Sequence, residues 1–367
     1  MSLSLTPVPF ERLPGWGSDD PTPIIEGLKD CAGYVESVKP YKTGSLGIEV
    51  ADFTAVFAAA GAAGTPSARF ARAFFEAHFQ PFHIVSAAGE DGFVTAYYEP
   101  ELDVASEPSD RYRHPIYRQP ADLVALDENN RPSSMDPSFA FGRQTAGGIE
   151  VYADRCAIDR GFLHGRGLEI AWASSRIEVF FMHVQGSARL CFEDGRVRRV
   201  TYAAKTGHPY RSIGRVLIDW GELAPADVTM ETIRRWLVDN PDRADDLLWH
   251  NRSYIFFREA PVIDPNRGPV AAAKVPLLAG RSLAVDRFIH TYGTPFYIQA
   301  DRLTHLPGGP FRRLMVAQDT GSAIVGPARG DIFIGSGGEA GTLAGSVKHP
   351  AVFFIFVPKP AVGRLIR

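Results

Sequence analysis

Two short apolar runs joined by a glycine-rich loop constrain this chain more than any other feature of its sequence. Residues 314–317 and 332–334 have the length and character of strands, and glycine, aspartate and proline fill the loop between them. Asp319 is therefore predicted to lie where one strand ends, and Asp331 where the next begins. The loop is long enough to fold back and bring the two carboxyl groups close together. Aspartate and glycine are also ordinary turn formers, so the pattern alone leaves a purely structural role open.

The loop also contains a possible protease signature. Residues 319–322 read Asp-Thr-Gly-Ser, which matches the loop of pepsin-type aspartic peptidases, where two aspartates share a proton. Such an enzyme needs a second copy of the loop or a small homodimeric chain. The sequence contains no second Asp-Thr-Gly or Asp-Ser-Gly, and its 367 residues are far too many for the dimeric kind. An aspartic peptidase is therefore only a minor alternative.

Composition indicates the fold class. The chain has 35 glycines and 28 prolines, which favour short strands and many turns over long helices, so a mainly β protein is predicted. Hydrophobic residues make up 45% of the chain, enough for a sizeable core, and the length suggests two domains or one large one. The formal net charge of −3 predicts no nucleic-acid partner. The three cysteines are far apart and show no metal-ligand spacing.

Local periodicity divides the chain further. Several prolines between residues 7 and 21 predict an extended arm over residues 1–50. Residues 52–80 are predicted to be helical, because four phenylalanines between positions 70 and 79 recur at the spacing of one buried helix face. Short apolar runs after residue 80 predict strands, and one of these runs, residues 177–184, contains His183.

A third aspartate identifies a family resemblance. Asp286 lies upstream of Asp319 and Asp331 and is followed by Tyr-Gly-Thr-Pro at 292–295. With its three aspartates in this order, the segment resembles the C-terminal module of the membrane-bound lytic murein transglycosylase A family. Further blocks resemble that family in the same order, namely Ala-Tyr-Tyr-Glu-Pro at 96–100, Pro-Ile-Tyr-Arg at 115–118, Val-Gln-Gly-Ser at 184–187, Gly-His-Pro-Tyr-Arg-Ser-Ile-Gly at 207–214 and Gly-Glu-Ala-Gly at 338–341. The ordered set is far more specific than any one block.

The resemblance implies an architecture. In this family, the N-terminal and C-terminal parts of the chain form a double-psi β-barrel, and a second β-domain is inserted between them. Transferred to this sequence, the barrel domain comprises residues 1–103 and 253–367, and the inserted domain comprises residues 104–252. The resemblance also implies a deep groove between the domains, in which a glycan strand lies.

The resemblance implies a reaction as well. A lytic transglycosylase needs no water, because the C6 hydroxyl of N-acetylmuramic acid attacks its own anomeric carbon and gives a 1,6-anhydro product. One carboxyl group can then serve first as the acid and then as the base. By motif, Asp331 is the general acid/base, and Asp319 is a supporting carboxylate whose charge would raise the proton affinity of Asp331. The structural members of the motif are Asp286, which would order the loop through backbone hydrogen bonds, and the glycines Gly321, Gly335 and Gly337.

Polar and aromatic residues in the matching blocks are candidates for binding the glycan, because sugars bind through stacking and hydrogen bonds. These candidates are Tyr97, Tyr98, Glu99, Gln185, Ser187, Lys205, His208, Tyr210, Arg211 and Ser212. Lys205 or Arg211 could meet the lactyl or peptide carboxylates of the muramic acid. For each residue taken singly, a structural role is an equally good interpretation.

The expected partners are peptidoglycan glycan strands, and no cofactor or metal is implied. The resemblance further implies a monomer in the periplasm, associated with the outer membrane, that can join cell-wall synthesis or division complexes. The first residues carry neither the charged start and apolar run of a signal peptide nor an early lipoprotein cysteine. A non-catalytic peptidoglycan-binding protein is the main alternative to an enzyme.

Overall fold

The computed structural model describes residues 3–86, 92–261, 264 and 266–365. In chain order, the strands are β1 (Leu3–Pro7), β2 (Phe79–Ser86), β3 (Gly92–Glu99), β4 (Glu101–Ala105), β5 (His114–Tyr117), β6 (Leu123–Ala125), β7 (Phe141–Thr145), β8 (Gly148–Glu150), β9 (Glu169–Ala173), β10 (Ser187–Phe192), β11 (Val197–Lys205), β12 (Ile255–Ala260), β13 (Ser282–Ala284), β14 (Pro295–Ala300), β15 (Phe311–Asp319), β16 (Arg329–Ser336) and β17 (Lys348–Pro358). The helices are α1 (Thr22–Ser37), α2 (Thr54–Ala62), α3 (Ala68–His78), the single turn α4 (Arg155–Ala157), α5 (Arg176–Gln185), α6 (Ile213–Asp219), α7 (Met230–Asp239), α8 (Pro241–Trp249), α9 (Gly337–Gly345) and α10 (Lys359–Leu365). The prediction of a mainly β chain is confirmed.

The chain forms two compact units. One, called here the discontinuous unit, combines residues 1–98 with residues 264–367, and the other, called the inserted unit, comprises residues 99–263. The sequence predicts boundaries at 104 and 252, so the observed inserted unit is longer at both ends.

The discontinuous unit is built on one eight-stranded sheet. Its strand order is β1-β2-β17-β14-β15-β13-β16-β3, and β3 also pairs with β17. Six of these strands therefore form a closed cycle of pairings in the order β17, β14, β15, β13, β16 and β3, because β3 pairs again with β17. Helices α1 to α3 contribute to a single hydrophobic core with this sheet, and aromatic rings fill much of it. The rings of Phe75 and Phe79, for example, lie 5.6 Å apart, and both approach Phe356 of β17 at 6.3 Å.

Helices α2 and α3 confirm the predicted helical stretch, with one exception on its phenylalanine face. Phe74, Phe75 and Phe79 are buried, whereas Phe70 is 49% exposed. Phe70 lies in the first turn of α3, next to the capping residue Ser67, whose hydroxyl accepts from the Phe70 amide. The first turn of α3 therefore lies outside the core, whereas the later turns pack against it.

The extended arm predicted for residues 1–50 is wrong over α1. Of the prolines that suggested the arm, Pro21 is compatible with a helix, because it lies immediately before the first residue of α1. Pro23 lies in the first turn, where no intrahelical N–H is needed. Apolar residues at helical spacing, including Ile24 and Leu28, bury one face of α1 completely.

The strand predicted for residues 177–184 is also wrong, because these residues form α5. Ser175 caps the helix by accepting a hydrogen bond from the Glu178 amide, and Gly186 ends it in the left-handed conformation, with φ of 80°. His183 is buried on this helix, against the ring of Tyr254 at 4.4 Å.

The inserted unit contains a six-stranded sheet in the order β12-β11-β10-β4-β9-β5 and a small sheet of β6, β7 and β8. Helices α6 to α8 and part of α5 form a separate apolar cluster. A buried ion pair anchors the start of the unit, where Arg199 Nε lies 2.7 Å from Glu99 Oε1. None of the helices in the described ranges is both long and apolar enough to cross a bilayer.

Candidate active site

Two of the motif aspartates, Asp319 and Asp331, flank the short strand β13. Its residue Ala284 pairs with Asp319 of β15 on one side and with Asp331 of β16 on the other. Strand spacing therefore puts the two backbones roughly 10 Å apart, or two strand widths. The loop between the aspartates does fold back, but β13 lies between the two strands, which the sequence does not predict.

A bulge in β15 sets the direction of Asp319. The register against β13 skips from Ala317 to Asp319, so Gln318 is an extra residue in the strand. The Gln318 side chain is fully buried and accepts a hydrogen bond from Ser282 Oγ at 2.5 Å. Bulges of this kind redirect the side chains beside them, and they recur next to active sites.

Asp331 is half-buried on β16 and has an unusual proton affinity. Burial is the main cause that raises its pKa from an ordinary 3.8 to about 6. A hydrogen bond from Thr95 Oγ1 to Asp331 Oδ1, at 2.5 Å, and the charge of Arg329 oppose this rise, while the charge of Asp319 adds a smaller increase. The predicted effect of Asp319 is thus present, but burial dominates it. A carboxyl group of this kind can give and take a proton near neutral pH.

Asp319 is surrounded by hydrogen-bond donors. Tyr97 Oη donates to its Oδ2 at 2.8 Å, and the amides of Thr320 and Ala272 donate to its Oδ1 at 2.8 and 3.2 Å. Burial raises the pKa of Asp319, and these three donors act against that rise by stabilising the ionised form. Within the described ranges, one hydroxyl group donates to Asp331 and three groups donate to Asp319, so the two aspartates have different environments.

Asp286 orders the loop that follows Asp319. It is buried, and its two carboxylate oxygens accept from the Phe288 amide at 3.0 Å and the Gly326 amide at 2.9 Å. Among the motif glycines, Gly335 and Gly337 have φ of 143° and 89°, which favours glycine, whereas Gly321 lies exposed in the loop without a positive φ.

Two tyrosines of β3 face opposite sides of the strand, as alternation requires. Tyr97 contacts Asp319, and its ring lies 5.4 Å from that of Phe333. Tyr98 is buried against α9, where Gly341 leaves space for the ring, since a Cβ at Gly341 would lie 2.7 Å from it. Tyr97 thus contacts one of the motif aspartates directly.

The other eight predicted glycan-binding residues belong to the inserted unit, and several have structural partners there. Glu99 is buried in its ion pair with Arg199 and also contacts Arg189 Nε at 3.1 Å. His208 is buried, its Nε2 lies 2.9 Å from the Tyr152 carbonyl oxygen, and burial lowers its pKa. These contacts give Glu99 and His208 roles in the packing of the unit.

Of the remaining six, Gln185, Ser187 and Lys205 lie on a helix or a strand of the same unit, and Tyr210, Arg211 and Ser212 lie in the loop between β11 and α6. Ser187 is buried, and Ser212 caps α6 by accepting from the Arg215 amide at 3.4 Å. Lys205 and Gln185 are half-buried, while Tyr210 and Arg211 are exposed.

Two residues at the site were missed from the sequence. Thr95 contacts Asp331 directly, and Arg329 Nη2 donates to Thr95 Oγ1 at 2.7 Å. Strand alternation offers a signal for both, because Thr95 precedes Tyr97 by two positions and Arg329 precedes Asp331 by two. Residues at this spacing share a face of their strand.

Comparisons with known proteins give matches along most of the chain. The family model described as MltA specific insert domain matches residues 93–258, and the model described as 3D domain matches residues 281–357. A crystal structure of membrane-bound lytic murein transglycosylase from Agrobacterium tumefaciens is 55% identical, with a TM-score of 0.93 and 99% of each chain covered. The Escherichia coli K12 membrane-bound lytic murein transglycosylase A is 34% identical over 74% of this chain and 67% of its own length.

A crystal structure of Escherichia coli MltA with bound chitohexaose is also similar, at 27% identity, with a TM-score of 0.67 and coverage of 97% of this chain and 94% of that one. The two family models together match most of the sequence, and the Agrobacterium tumefaciens structure matches it nearly from end to end. The chain therefore belongs to the membrane-bound lytic murein transglycosylase A family.

Proposed function

We propose that this member of a family of glycan-cleaving lyases cleaves the β-1,4 bond between N-acetylmuramic acid and N-acetylglucosamine in peptidoglycan. The product would carry a 1,6-anhydro-N-acetylmuramic acid end. The observation that carries the proposal is the half-buried Asp331 on β16, whose pKa is raised by burial to about 6. The chitohexaose bound to the Escherichia coli relative supports a β-1,4-linked glycan as the ligand.

In this mechanism, Asp331 acts twice. Its protonated carboxyl donates to the glycosidic oxygen of the departing N-acetylglucosamine as the C1–O bond breaks. The resulting carboxylate then accepts the proton of the muramic C6 hydroxyl as that oxygen bonds to C1. The nucleophile belongs to the substrate, so the second carboxylate that a hydrolase uses for water or for direct attack is not needed.

Asp319 has a supporting role in the same mechanism. Its three hydrogen-bond donors favour the ionised form, and a fixed negative charge stabilises a developing oxocarbenium ion. Its charge also favours the protonated form of Asp331. One aspartate would thus carry the proton while the other holds the charge.

We also propose that the discontinuous unit is the double-psi β-barrel of the family. The support is the closed order of six strands, in which β3 pairs with both β16 and β17. A cell-envelope location is proposed from the relatives, whose names describe them as membrane-bound.

Mass spectrometry of the sugars released from purified murein sacculi tests the function. Wild-type protein should release muropeptides about 18 Da lighter than hydrolytic products, because no water enters. Asp331→Asn should release none, whereas Asp301→Asn, which alters an aspartate on the surface, should behave as wild type. Reducing ends in the wild-type products would contradict the transglycosylase reaction. No release by any of the three proteins would favour the alternative of a non-catalytic binding protein.

A further inference from the structure

The carboxyl group of Asp331 is held from one side only. Thr95 Oγ1 lies 2.5 Å from Asp331 Oδ1, and Arg329 Nη2 lies 2.7 Å from the same hydroxyl oxygen. Among the residues that the structure describes, no hydrogen bond reaches Asp331 Oδ2. The three residues thus form a chain that ends on one defined carboxyl oxygen.

The donors in this chain have only one consistent assignment when Asp331 is ionised. A guanidinium group has donors and no acceptor, so Thr95 Oγ1 must accept from Arg329. The hydroxyl group has a single hydrogen, which the cation repels, and the carboxylate is the acceptor on the opposite side. Thr95 therefore donates to Oδ1.

The contacts along the two strands fix this geometry. Arg329 covers the ring of Phe93 at 5.6 Å, Thr95 contacts Asp331, and Tyr97 contacts Phe333. The three contacts follow the same order along β3 and β16, and all involve alternate residues. Val94 and Ile332, which lie between these contacts on the two strands, are buried in the core. Thr95 and Arg329 are therefore positioned by the same pairing that positions Asp331.

We propose that Thr95 and Arg329 are positioning residues for Asp331: Arg329 orients the Thr95 hydroxyl, whose donation to Oδ1 leaves Oδ2 to carry the transferable proton. This inference rests on the proposed function. In the first step, the proton leaves Oδ2 for the glycosidic oxygen as the C1–O bond breaks. In the second, Oδ2 takes the proton of the C6 hydroxyl as the new O–C1 bond forms. Oδ1 keeps its hydrogen bond throughout.

The charged and titratable groups around Asp331 act in known directions. Arg329, on the same strand, and the Thr95 hydrogen bond lower its pKa, whereas Asp319 on β15 raises it. Tyr97 of β3 donates to Asp319, and the charge of Lys274 lowers the pKa of Asp319. Lys348 of β17 is the cross-strand partner of Thr95, and β13 contributes the uncharged residues 282–284. Removal of the Thr95 hydroxyl should therefore raise the pKa of Asp331, because burial is then less opposed.

Thr95→Val tests the proposal, with Thr95→Ser as its matched control. Valine keeps the branched shape that suits a strand but lacks the hydroxyl, whereas serine retains it. We expect kcat/KM on murein to fall about 10-fold to 100-fold in Thr95→Val, the cost of a misplaced catalytic group, and to fall far less in Thr95→Ser. The pH profile of Thr95→Val, and the titration of the Asp331 carboxyl by carbon-13 NMR, should both move to higher pH. Arg329→Gln should move them in the same direction.

The two hypotheses fail in different ways. An unchanged pH profile and carboxyl titration in Thr95→Val would overturn the positioning role, even if Asp331→Asn is inactive as the proposed function requires. A loss of activity in Thr95→Ser as large as in Thr95→Val would also overturn it, since the hydroxyl would then not be the operative group. Full lysis by Asp331→Asn would overturn the proposed function together with this inference.

Discussion

Replacing Asp331 with asparagine should make the folded protein more stable at neutral pH. In the folded chain the carboxyl group has a pKa of about 6, against an ordinary value of 3.8, because burial penalises its charge. At about 1.4 kcal/mol per pH unit of difference, ionising Asp331 in the fold costs at most roughly 3 kcal/mol above pH 6. Asparagine has no charge to bury and can still accept the hydrogen bond of Thr95.

The gain should depend on pH in a defined way. Above pH 6, wild-type Asp331 is ionised in both the folded and the unfolded chain, so the full penalty is present and the variant has its full advantage. Between pH 6 and 3.8, the folded protein takes up a proton before the unfolded chain does, and the advantage shrinks. Below pH 3.8 both forms are protonated and the advantage disappears. Wild-type protein should accordingly gain stability from this group as pH falls from 7 to 4.

Thermal denaturation of the whole chain at pH 7.5 and at pH 4 measures this effect. A gain of roughly 3 kcal/mol would raise the midpoint by roughly 6–12 °C for a unit of this size. Asp301→Asn is the control, and it should not raise the midpoint at pH 7.5. The hydrogen bond from Arg312 Nε at 2.7 Å lowers the pKa of Asp301, so the ionised form of this residue is favoured in the folded protein. Equal midpoints for wild type and Asp331→Asn at pH 7.5, or a difference that is the same at both pH values, would refute the reasoning.

Two further substitutions test other parts of the structure. Lys274 has a positive φ of 64°, so Lys274→Gly should raise the free energy of unfolding by up to roughly 1 kcal/mol. Lys39→Gly, at an exposed site without positive φ, should not raise it, and urea denaturation measures both variants. Glu99→Gln leaves the guanidinium of Arg199 buried without its carboxylate and should cost about 3 kcal/mol in the same assay, whereas Glu101→Gln, at an exposed ion pair, should cost less than about 1 kcal/mol. Equal losses for the two glutamate variants would contradict the reading of Glu99 as a buried anchor.

The strands that carry the two aspartates could be predicted because their signal is local. The apolar runs before Asp319 and after Asp331 lie inside β15 and β16, although both strands are longer than predicted and β16 begins two residues before Asp331. The pairing of both strands with β13 could not be predicted, since it joins residues that are far apart in the sequence. Periodicity gives the face of a strand but not its neighbours.

The mistaken strand at 177–184 shows how a local signal can be outweighed. Its run of β-branched and aromatic residues is typical of a buried strand, and α5 is buried on several sides. The better signal was at its ends, where Ser175 with Glu178 three positions later predicts a helix start and Gly186 predicts a stop. Helix α1 was missed because Pro21 was counted as a sign of extended chain, although proline is also common where a helix begins.

Most of the glycan-binding residues predicted by resemblance belong to the inserted unit, and sequence alone could not separate those with structural partners from the others. Glu99 is an example, because a glutamate beside two tyrosines suggests a sugar contact, whereas its carboxylate is occupied by arginines from two other strands. The raised pKa of Asp331 could not be predicted from the sequence either, because the burial that causes it depends on the packing of the whole sheet.

The closed strand order has a consequence for how the protein is made. Strand β3 pairs with β16 and β17, which lie beyond the whole inserted unit in the chain. During synthesis at about 5–20 residues per second, residues 99–263 emerge as a continuous segment and can fold before β16 and β17, the partners of β3, have been synthesised. Thr95 and Tyr97 therefore meet Asp331 and Asp319 only after the last strands have left the ribosome. The site around Asp331 and Asp319 is therefore among the last parts of the molecule to form, and it is complete only when β17 is available to pair with β3.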